Sequence, residues 1–481
     1  AGGRISSGTA NVAIGSRAMC GLSTSSYNTA VGYNSQLTRS TGAYNTTLGA
    51  NSLCCDCTGS CNTVLGYAAG RCDTSACQVT FVGMNAGLNN TANSSTAVGF
   101  GSLANNTSGT YNTALGFCSL YANTGSANTA VGNQALRNNT TANSNVAVGD
   151  FAAVINTTGA NNVAIGSETM KCNTEGCRNT AVGHSALKSS ACASFNVAVG
   201  YLAMYCNTTG YQNVAVGFNA LYSSTTASHN VAIGNGAGDS ITTGGQNVII
   251  GKAAATDATT VDTSVIIGYD AGSSLTTAGN NVIIGSSAGD DLTTGGQNTV
   301  IGKLNDAGAA GAVGRVVLGY SATGATNSSL TFGYGTTDSA ILFGSGGIYY
   351  PSDERLKEDI QDETIGLDFI NDLRPRTFRW KKAKDVPQEL KCYEDSEERV
   401  MNGKYNHGFI AQEVKEVINK YNFKDGFNLW LEDDADGRQR IADADLMPIM
   451  VKAVQDLSAE VERLKENSHP CKELHEFDAY P

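Results

Sequence analysis

A repeat of 17 residues runs through the first two thirds of this chain and limits what it can fold into more than any other feature. The motif Asn-x-Ala-Val/Ile-Gly appears at Asn11–Gly15 and Asn28–Gly32, and its closing glycine occurs twenty times between Gly15 and Gly333. Successive glycines are 17 residues apart in all but three intervals, two of 16 and one of 14. A register this constant indicates stacked structural units, each making one turn of a continuous core.

Each repeat is typical of one coil of a β-solenoid. The motif is rich in β-branched residues, its second and fourth residues share one face, and its third residue points to the other face. Both faces are apolar, so we expect both to be buried. A second apolar pair such as Ala135-Leu136 follows, and then a polar turn such as 156–159. We therefore predict a mostly β fold with two short strands and two turns per coil, about 95 Å long for twenty coils spaced ~4.8 Å apart.

The asparagine and glycine columns are interpreted as structural. Stacked side-chain amides form hydrogen bonds from one coil to the next, and asparagine tolerates turn conformations. The closing glycine is expected at a corner where the backbone has a positive φ. A helical fold is disfavoured by the glycine, threonine and asparagine content and by the lack of a 3.6-residue period.

Charge divides the chain into two modules that join near Ser352. Residues 1–351 contain 11 Lys+Arg and 13 Asp+Glu, whereas residues 352–481 contain 20 and 30. The net charge of −12, without a basic stripe, argues against nucleic-acid binding. Because no apolar run approaches the ~20 residues of a membrane span, we expect no membrane insertion. The predicted boundaries are a repeat shaft over 1–335, a neck over 336–351, a second domain over 352–444, and a C-terminal helix and tail over 445–481.

The cysteines concentrate in the shaft, where twelve of the 14 lie between Cys20 and Cys206. Several recur at fixed distances from the closing glycine, which favours disulfides that staple single turns or neighbouring coils. Free thiols and a metal site at Cys54-Cys55-x-Cys57 are the alternatives. Disulfides would place the shaft in an oxidising, exterior setting or on a virion surface. We expect no cofactor and no metal. The predicted pairs are Cys55–Cys61, Cys72–Cys77, Cys172–Cys177 and Cys192–Cys206.

The acidic C-terminal module has four ordered segments. The first, Ser352–Ile360, begins with a good helix N-cap or turn former and continues amphipathically, and Leu373–Trp380 predicts a strand. A second helix is expected to open at His407, and a long glycine-free helix is expected from Asp445 to Glu466. This last helix has apolar heptads that favour an intermolecular coiled coil over packing on its own domain. The heptad residues are Met447, Met450, Val454, Leu457, Val461 and Leu464.

The repeat resembles the head repeat of trimeric autotransporter adhesins, whose Asn-Ser-Val-Ala-Ile-Gly motif is similar to Asn11–Gly15 and its copies. This resemblance covers about residues 8–320. It implies a left-handed parallel β-roll in which three chains pack side by side. The usual period in that family is shorter than 17, so longer turns are expected here.

The C-terminal segments together resemble the intramolecular chaperone domain of phage endosialidases and tailspikes, which is classed as an S74 peptidase. The matching motifs are Ser352–Lys357, Leu373–Trp380, Gly408–Val414 and Leu446–Leu464. The resemblance implies a domain that folds a trimeric fibre and then cuts itself off with a Ser–Lys dyad.

By position in these motifs, Ser352 would be the nucleophile and Lys357 the base that takes its proton. Arg355 would depress the pKa of the lysine or bind the oxyanion, and His407 is a further candidate proton carrier. The bond cut would be Ser352–Asp353, with Pro351–Ser352 as the alternative.

These observations predict a homotrimeric viral or phage fibre or tail spike, exposed on the virion and used in host attachment. Its expected partners are a host receptor or glycan and a base protein of the particle, and its chaperone domain would act during assembly in the host cell. No enzyme with substrate turnover is expected beyond a single self-cleavage. The alternatives are a fibre-borne glycan-degrading enzyme and a bacterial cell-surface adhesin.

Overall fold

The structure is a computed structural model, which divides into two compact units over residues 1–351 and 352–481. Each unit is described by itself. The residues described are 7–21, 24–38, 41–55, 58–335, 337–344, 348–349, 352, 354–388, 390, 392–401, 403–421, 423, 427–432 and 439–467.

The first unit is a parallel β-solenoid of about 19 coils, which confirms the predicted mostly β fold. Each strand from β1 to β19 pairs in parallel with the strand of the next coil, and Val197 of one coil lies opposite Val214 of the next. The three-residue strands are β1 (Val12–Ile14), β2 (Thr29–Val31), β3 (Thr46–Leu48), β4 (Thr63–Leu65), β5 (Thr80–Val82), β6 (Thr96–Val98), β7 (Thr113–Leu115), β8 (Thr129–Val131), β9 (Val146–Val148), β10 (Val163–Ile165), β11 (Thr180–Val182), β12 (Val197–Val199), β13 (Val214–Val216), β14 (Val231–Ile233), β15 (Val248–Ile250), β16 (Val265–Ile267), β17 (Val282–Ile284) and β18 (Thr299–Ile301).

Longer strands end this unit. They are β19 (Val316–Tyr320), β20 (Ser329–Tyr334), β21 (Thr337–Leu342) and β22 (Ile348–Tyr349). The last two pair antiparallel, β21 with β20 and β22 with β21, so the parallel stack ends in an antiparallel edge.

Each coil has one strand, so the prediction of two strands per coil is wrong. The second apolar pair lies in a turn where two residues have left-handed backbone angles, such as Ser185 (φ 54°) and Leu187 (φ 52°). The turn still bonds to the next coil, because the N–H of Leu187 donates to the carbonyl of Ala203 at 2.9 Å. The chain therefore bends around this corner instead of running straight as a strand.

The core of the solenoid lies inside the coils. The central residue of a strand, such as Ala198, is buried, and so is the apolar residue of the following corner, such as Met204. The residues on either side of the strand centre point outward, and Ile14 and Leu48 are 58% and 49% exposed. The expectation that both faces of the strand are buried is therefore wrong within a single chain.

Side-chain volume inside the coils is compensated in pairs. When the strand centre is alanine, the residue four positions after the closing glycine is usually Leu or Met. When the strand centre is Val, Phe or Ile in β4, β5 and β15 to β17, that position is Gly or Ala. At Gly87, a Cβ atom would lie 2.5 Å from the ring of Phe81. The two positions therefore share one interior space. Because the interior is closely packed, this space holds one large side chain, which comes from one position or the other.

The asparagine column is a buried ladder, as the repeat predicted, and it is interrupted at Val79, Ser95 and Ser264. Asn213 donates its backbone N–H to Oδ1 of Asn196 at 3.0 Å, and its own Oδ1 accepts from the N–H of Asn230 at the same distance. Its Nδ2 donates to the carbonyl of Ala227 at 2.8 Å. The ladder therefore satisfies backbone groups that water cannot reach.

The closing glycines line a corner where neighbouring coils approach closely. Gly200 has a φ of +140°, and a Cβ atom there would lie 2.3 Å from the carbonyl oxygen of Gly217. Both the backbone angle and the contact therefore require glycine, as predicted.

A buried arginine replaces asparagine near the end of the ladder. The N–H of Arg315 donates to Oδ1 of Asn298 at 3.0 Å. Its guanidinium Nη1 donates to the carbonyls of Ala307 and Gly324 at 2.6 and 2.9 Å. Arg315 thus bonds to carbonyls of the last coils, where the regular ladder has no further asparagine to continue it.

The last coils are expected to be less stable at pH 8 than at pH 5. The pKa of Asp306 is raised to about 7, first by burial and then by the hydrogen bond that protonated Asp306 donates to Asp290, together with the negative charge of Asp291. Because the folded state holds this proton more tightly than the unfolded chain, its stabilising effect is complete below pH ~3.9 and is lost as the pH rises through 7. We expect the Asp306→Asn variant to show a smaller fall in unfolding midpoint between pH 5 and pH 8 than the original chain.

Glu168 provides an internal reference for that comparison. Its pKa is lowered to about 2 by hydrogen bonds from Lys171 and Lys188, at 2.6 and 2.7 Å. This stabilising effect is lost only as the pH falls below ~4.3, so it stays constant between pH 5 and pH 8. An equal pH dependence in the original chain and in Asp306→Asn would contradict the assignment to Asp306.

The second unit is a small α+β domain. Its core is formed by Phe369, Leu373, Val414, Val417, Leu429, Leu446 and Ile449. Its strands form two antiparallel pairs. Its elements are α1 (Leu367–Asp372), β23 (Arg376–Phe378), β24 (Asn406–Gly408), α2 (Ala411–Ile418), β25 (Trp430–Glu432), β26 (Gln439–Ile441) and α3 (Leu446–Asn467).

One of the four sequence expectations for this unit needs correction. The segment Ser352–Ile360, for which a helix N-cap and a turn were the alternatives, has a short 3-10 turn at Glu354–Leu356. The helix expected to open at His407 begins at Ala411, because His407 lies in β24. The predicted strand at Leu373–Trp380 is present but shorter, and the predicted long helix is confirmed as α3.

Candidate functional site

The side chains of Ser352 and Lys357 are in direct contact. A 3-10 turn at Glu354–Leu356 follows Ser352, and the N–H of Lys357 donates to the carbonyl of Glu354 at 3.0 Å, which closes the turn. This turn brings the Lys357 Nζ to 2.8 Å from Ser352 Oγ, to which it donates. Both residues are exposed in the single chain. Five residues of separation are thus enough to place an amine on a hydroxyl, the contact that a base needs to take the serine proton.

The other candidate residues of the sequence analysis have no described contact with Ser352. Arg355 lies in the same 3-10 turn and is exposed. Among the described contacts, His407 Nδ1 lies 3.3 Å from Thr377 Oγ1 on the neighbouring strand, and not against Ser352. Pro351 and Asp353 lie outside the described residues, so both candidate scissile bonds remain predictions.

The two central motifs of this unit are joined by an ion pair that the sequence analysis did not identify. Strands β23 and β24 pair with Thr377 opposite His407, which brings the Leu373–Trp380 motif beside the Gly408–Val414 motif. Arg376 then makes two parallel hydrogen bonds to the carboxylate of Glu413, at 2.9 and 2.6 Å. These bonds lower the pKa of Glu413. The opposite charges of the two motifs indicate an ion pair only once the motifs are known to be neighbours.

Helix α3 has two apolar faces with different surroundings. Leu446, Ile449 and Ala453 are buried on the domain's own core. The six heptad residues form a second face, on which the exposed fraction of each side chain is 42% or more. One face of α3 packs on its own domain, and the heptad face is uncovered. The helix can therefore pack on its domain and also form a coiled coil with other chains. The exposed residues are Met447, Met450, Val454, Leu457, Val461 and Leu464.

The shaft also exposes an apolar face, which runs along the strands. Outward-pointing residues of the strands are partly exposed, and the position after the closing glycine is often aromatic. Several of these rings stack along the axis, as do those of Tyr201 and Phe218, with centroids 5.4 Å apart. An apolar face repeated over so many coils is far larger than the isolated patches of a monomeric surface. The exposed aromatic residues at this position include Tyr33, Tyr67, Phe100, Phe117, Tyr201, Phe218 and Tyr269.

The structure has no disulfide bond among the cysteines it describes, so none of the four predicted pairs is formed in it. The sulfurs of Cys77 and Cys177 bond to the preceding coil. Cys77 Sγ accepts the N–H of Ser60, and Cys177 Sγ accepts the N–H of Ala160, both at 3.3 Å. A serine has this role at the same position elsewhere, as when the N–H of Tyr211 donates to Ser228 Oγ at 3.1 Å. The pairs Cys55–Cys61, Cys72–Cys77, Cys172–Cys177 and Cys192–Cys206 therefore stay predictions.

Comparison with known proteins identifies one region. A family model described as the chaperone of endosialidase, Peptidase_S74, matches residues 352–423. This range contains Ser352, Lys357, and the motifs joined by Arg376 and Glu413. No curated protein and no solved structure matches the chain. Within the described part of the chain, none of the helices combines the length and apolar character needed to span a bilayer.

Proposed function

We propose that this chain is the subunit of a homotrimeric fibre or tail spike of a virus or phage. Residues 1–335 would form its shaft, and the C-terminal domain would align three chains before cutting itself off beside Ser352. The observation that carries this proposal is the 2.8 Å contact between Lys357 Nζ and Ser352 Oγ at the start of the region matched by the chaperone family. The fibre would be exposed on the particle, where it would bind a host receptor or glycan.

The proposed cleavage is one turnover with two acyl transfers, first to Ser352 Oγ and then to water. Lys357 accepts the proton of Ser352 Oγ while this oxygen attacks the carbonyl carbon of the scissile peptide bond. The amine of the broken bond leaves with a proton, and water then hydrolyses the ester to a free carboxylate. A lysine acts as a base more readily when it is removed from water. Packing of three chains around the exposed pair would provide this change, so cleavage would follow assembly.

Two uncovered apolar faces support the trimer. The heptad face of α3 needs partner helices, and the outward face of the strands needs a partner along the whole shaft. Because the coils are nearly identical, three shafts displaced by one repeat would pack almost as well as three aligned shafts. A C-terminal clamp that forms first would select the aligned register. Its later removal would leave a shaft that unfolds slowly and cannot easily refold.

The dyad is tested by comparing the original chain with Ser352→Ala and Lys357→Ala on denaturing gels. We expect a shaft fragment of about 350 residues from the original chain and only the full-length band from both variants, with a rate loss of at least ~100-fold for removal of a general base. Mass spectrometry of the fragment then distinguishes a chain ending at Pro351 from one ending at Ser352.

Lys465→Ala is the matched control, because Lys465 is an exposed lysine on α3, far along the chain from the dyad. It should be cleaved at the original rate. Full-length bands from all four proteins would refute self-cleavage, and a trimer in that result would leave the chaperone role supported.

A further inference from the structure

Two cysteines of the shaft lie directly above one another in neighbouring coils. Cys55 and Cys72 occupy the same position of consecutive repeats, eleven residues before the closing glycine. The N–H of Cys55 donates to the carbonyl of Arg71 at 3.0 Å, and the N–H of Cys72 donates to the carbonyl of Leu88 at 2.8 Å. In this pattern, the N–H of each residue bonds to the carbonyl of the residue 16 positions later. Residues 17 positions apart are therefore stacked directly on one another, and we call such a stack a column.

The spacing of that column suits a disulfide. Neighbouring parallel segments lie about 4.8 Å apart, and disulfides join residues whose Cα atoms are about 4.4–6.8 Å apart. Side chains in one column leave the coil in the same direction, so the two sulfurs start on the same side. Cys72 is exposed and Cys55 is half-buried, so reagents reach the pair from solvent.

We infer that Cys55 and Cys72 form an axial disulfide that staples two consecutive coils of the shaft. This axial pair competes with the predicted pairs Cys55–Cys61 and Cys72–Cys77, each of which would bridge a turn within one coil, because a cysteine forms one disulfide at a time. The neighbouring Cys54 is the less reactive thiol, because it is buried and because burial and the adjacent Cys55 raise the pKa of its thiol.

The chemistry is a thiol–disulfide exchange with a small-molecule disulfide such as oxidised glutathione. The thiolate of one cysteine attacks a sulfur of the reagent, which releases one small thiol and leaves a mixed disulfide. The thiolate of the second cysteine then attacks the protein sulfur of the mixed disulfide and releases the second small thiol. One S–S bond is broken, one is formed, and the two protons of the cysteines end on the two released thiols.

Trypsin separates the axial pair from the pairs within a coil. Arg71 lies between Cys55 and Cys72, so digestion gives peptides 40–71 and 72–137. A bond within a coil stays inside one of these peptides, whereas the axial bond joins them. The full chain is equilibrated with oxidised glutathione, its remaining thiols are alkylated, and the digest is analysed by mass spectrometry without reduction.

We expect the joined peptide in the original chain and in Cys61→Ser and Cys77→Ser, and its loss in Cys55→Ser and Cys72→Ser. Serine is accommodated in this column, since Ser189 occupies it in another coil. Each variant should therefore still give a folded shaft. A joined peptide that survives Cys55→Ser or Cys72→Ser, or alkylation of both cysteines in the original chain, would overturn the assignment.

Cys172 and Cys206 provide a control within the same molecule. They occupy the same column but are separated by the coil that carries Ser189, so they lie about 9.6 Å apart, beyond the reach of a disulfide. These cysteines lie in peptides 172–178 and 189–252, which also contain Cys177 and Cys192. Fragmentation of the peptides should therefore show no bond between Cys172 and Cys206. A Cys172–Cys206 bond in a yield similar to that of Cys55–Cys72 would show that stacking does not determine the pairing.

Discussion

Changing Phe81 to alanine and changing Gly87 to leucine should each destabilise the shaft, and making both changes should restore most of the stability. Phe81→Ala leaves a cavity in a closely packed coil, at a cost of about 3–5 kcal/mol. Gly87→Leu places a side chain where even a Cβ atom would lie 2.5 Å from the ring of Phe81. The double variant has the alanine and leucine found together in the next coil at Ala97 and Leu103, both of which are buried.

Backbone strain does not prevent this exchange. Gly87 has a φ of +59°, and Leu103, at the same position of the next coil, has a φ of 52°. Unfolding midpoints in denaturant for the two single variants and the double variant give the coupling free energy, which we expect to be at least ~2 kcal/mol and favourable. Additive losses in the double variant would show that the two side chains do not share one interior space.

Removing one amide of the asparagine ladder should have a comparably large effect. Asn213→Ala leaves the N–H of Asn230 and the carbonyl of Ala227 buried without their side-chain partner, at about 1–3 kcal/mol each. Asn213→Ser should cost less than Asn213→Ala. A serine accepts the same backbone N–H elsewhere in the ladder, where Ser264 Oγ accepts from Asn281 at 3.1 Å.

Asn235→Ala is the control for this series, because Asn235 is an exposed asparagine at the position after a closing glycine. Its unfolding midpoint should stay within ~0.5 kcal/mol of the original chain. Equal destabilisation by Asn213→Ala and Asn235→Ala would mean that the ladder does not depend on buried amide hydrogen bonds.

The sequence predicted features that repeat and missed features that depend on a particular neighbour. The parallel stack, the asparagine ladder and the glycine corner follow from one period, because every coil imposes the same requirement on its column. The apolar pair at the corner of Ser185 and Leu187 predicts a strand, because left-handed conformations of residues other than glycine leave no signal in such a pair. The pairing of Phe81 with Gly87 is visible in the sequence only once the two positions are known to meet.

The candidate site shows the same division. The pairing of Ser352 with Lys357 was implied by the resemblance to the chaperone family, and their five-residue spacing suits the 3-10 turn that joins them. His407 was expected at the opening of a helix, yet it lies in a strand paired across from Thr377. The ion pair of Arg376 and Glu413 joins residues 37 apart in the chain, so only the fold brings it into view.

The measurement that tests the central proposal most directly is the molar mass in solution of the Ser352→Ala chain, which keeps its C-terminal domain. Light scattering should give three times the 49.8 kDa of one chain. Val454→Asp combined with Leu457→Asp, which places charge on the exposed heptad face of α3, should reduce the yield of that species. A folded species of 49.8 kDa for Ser352→Ala would contradict the proposal that three aligned chains form the shaft.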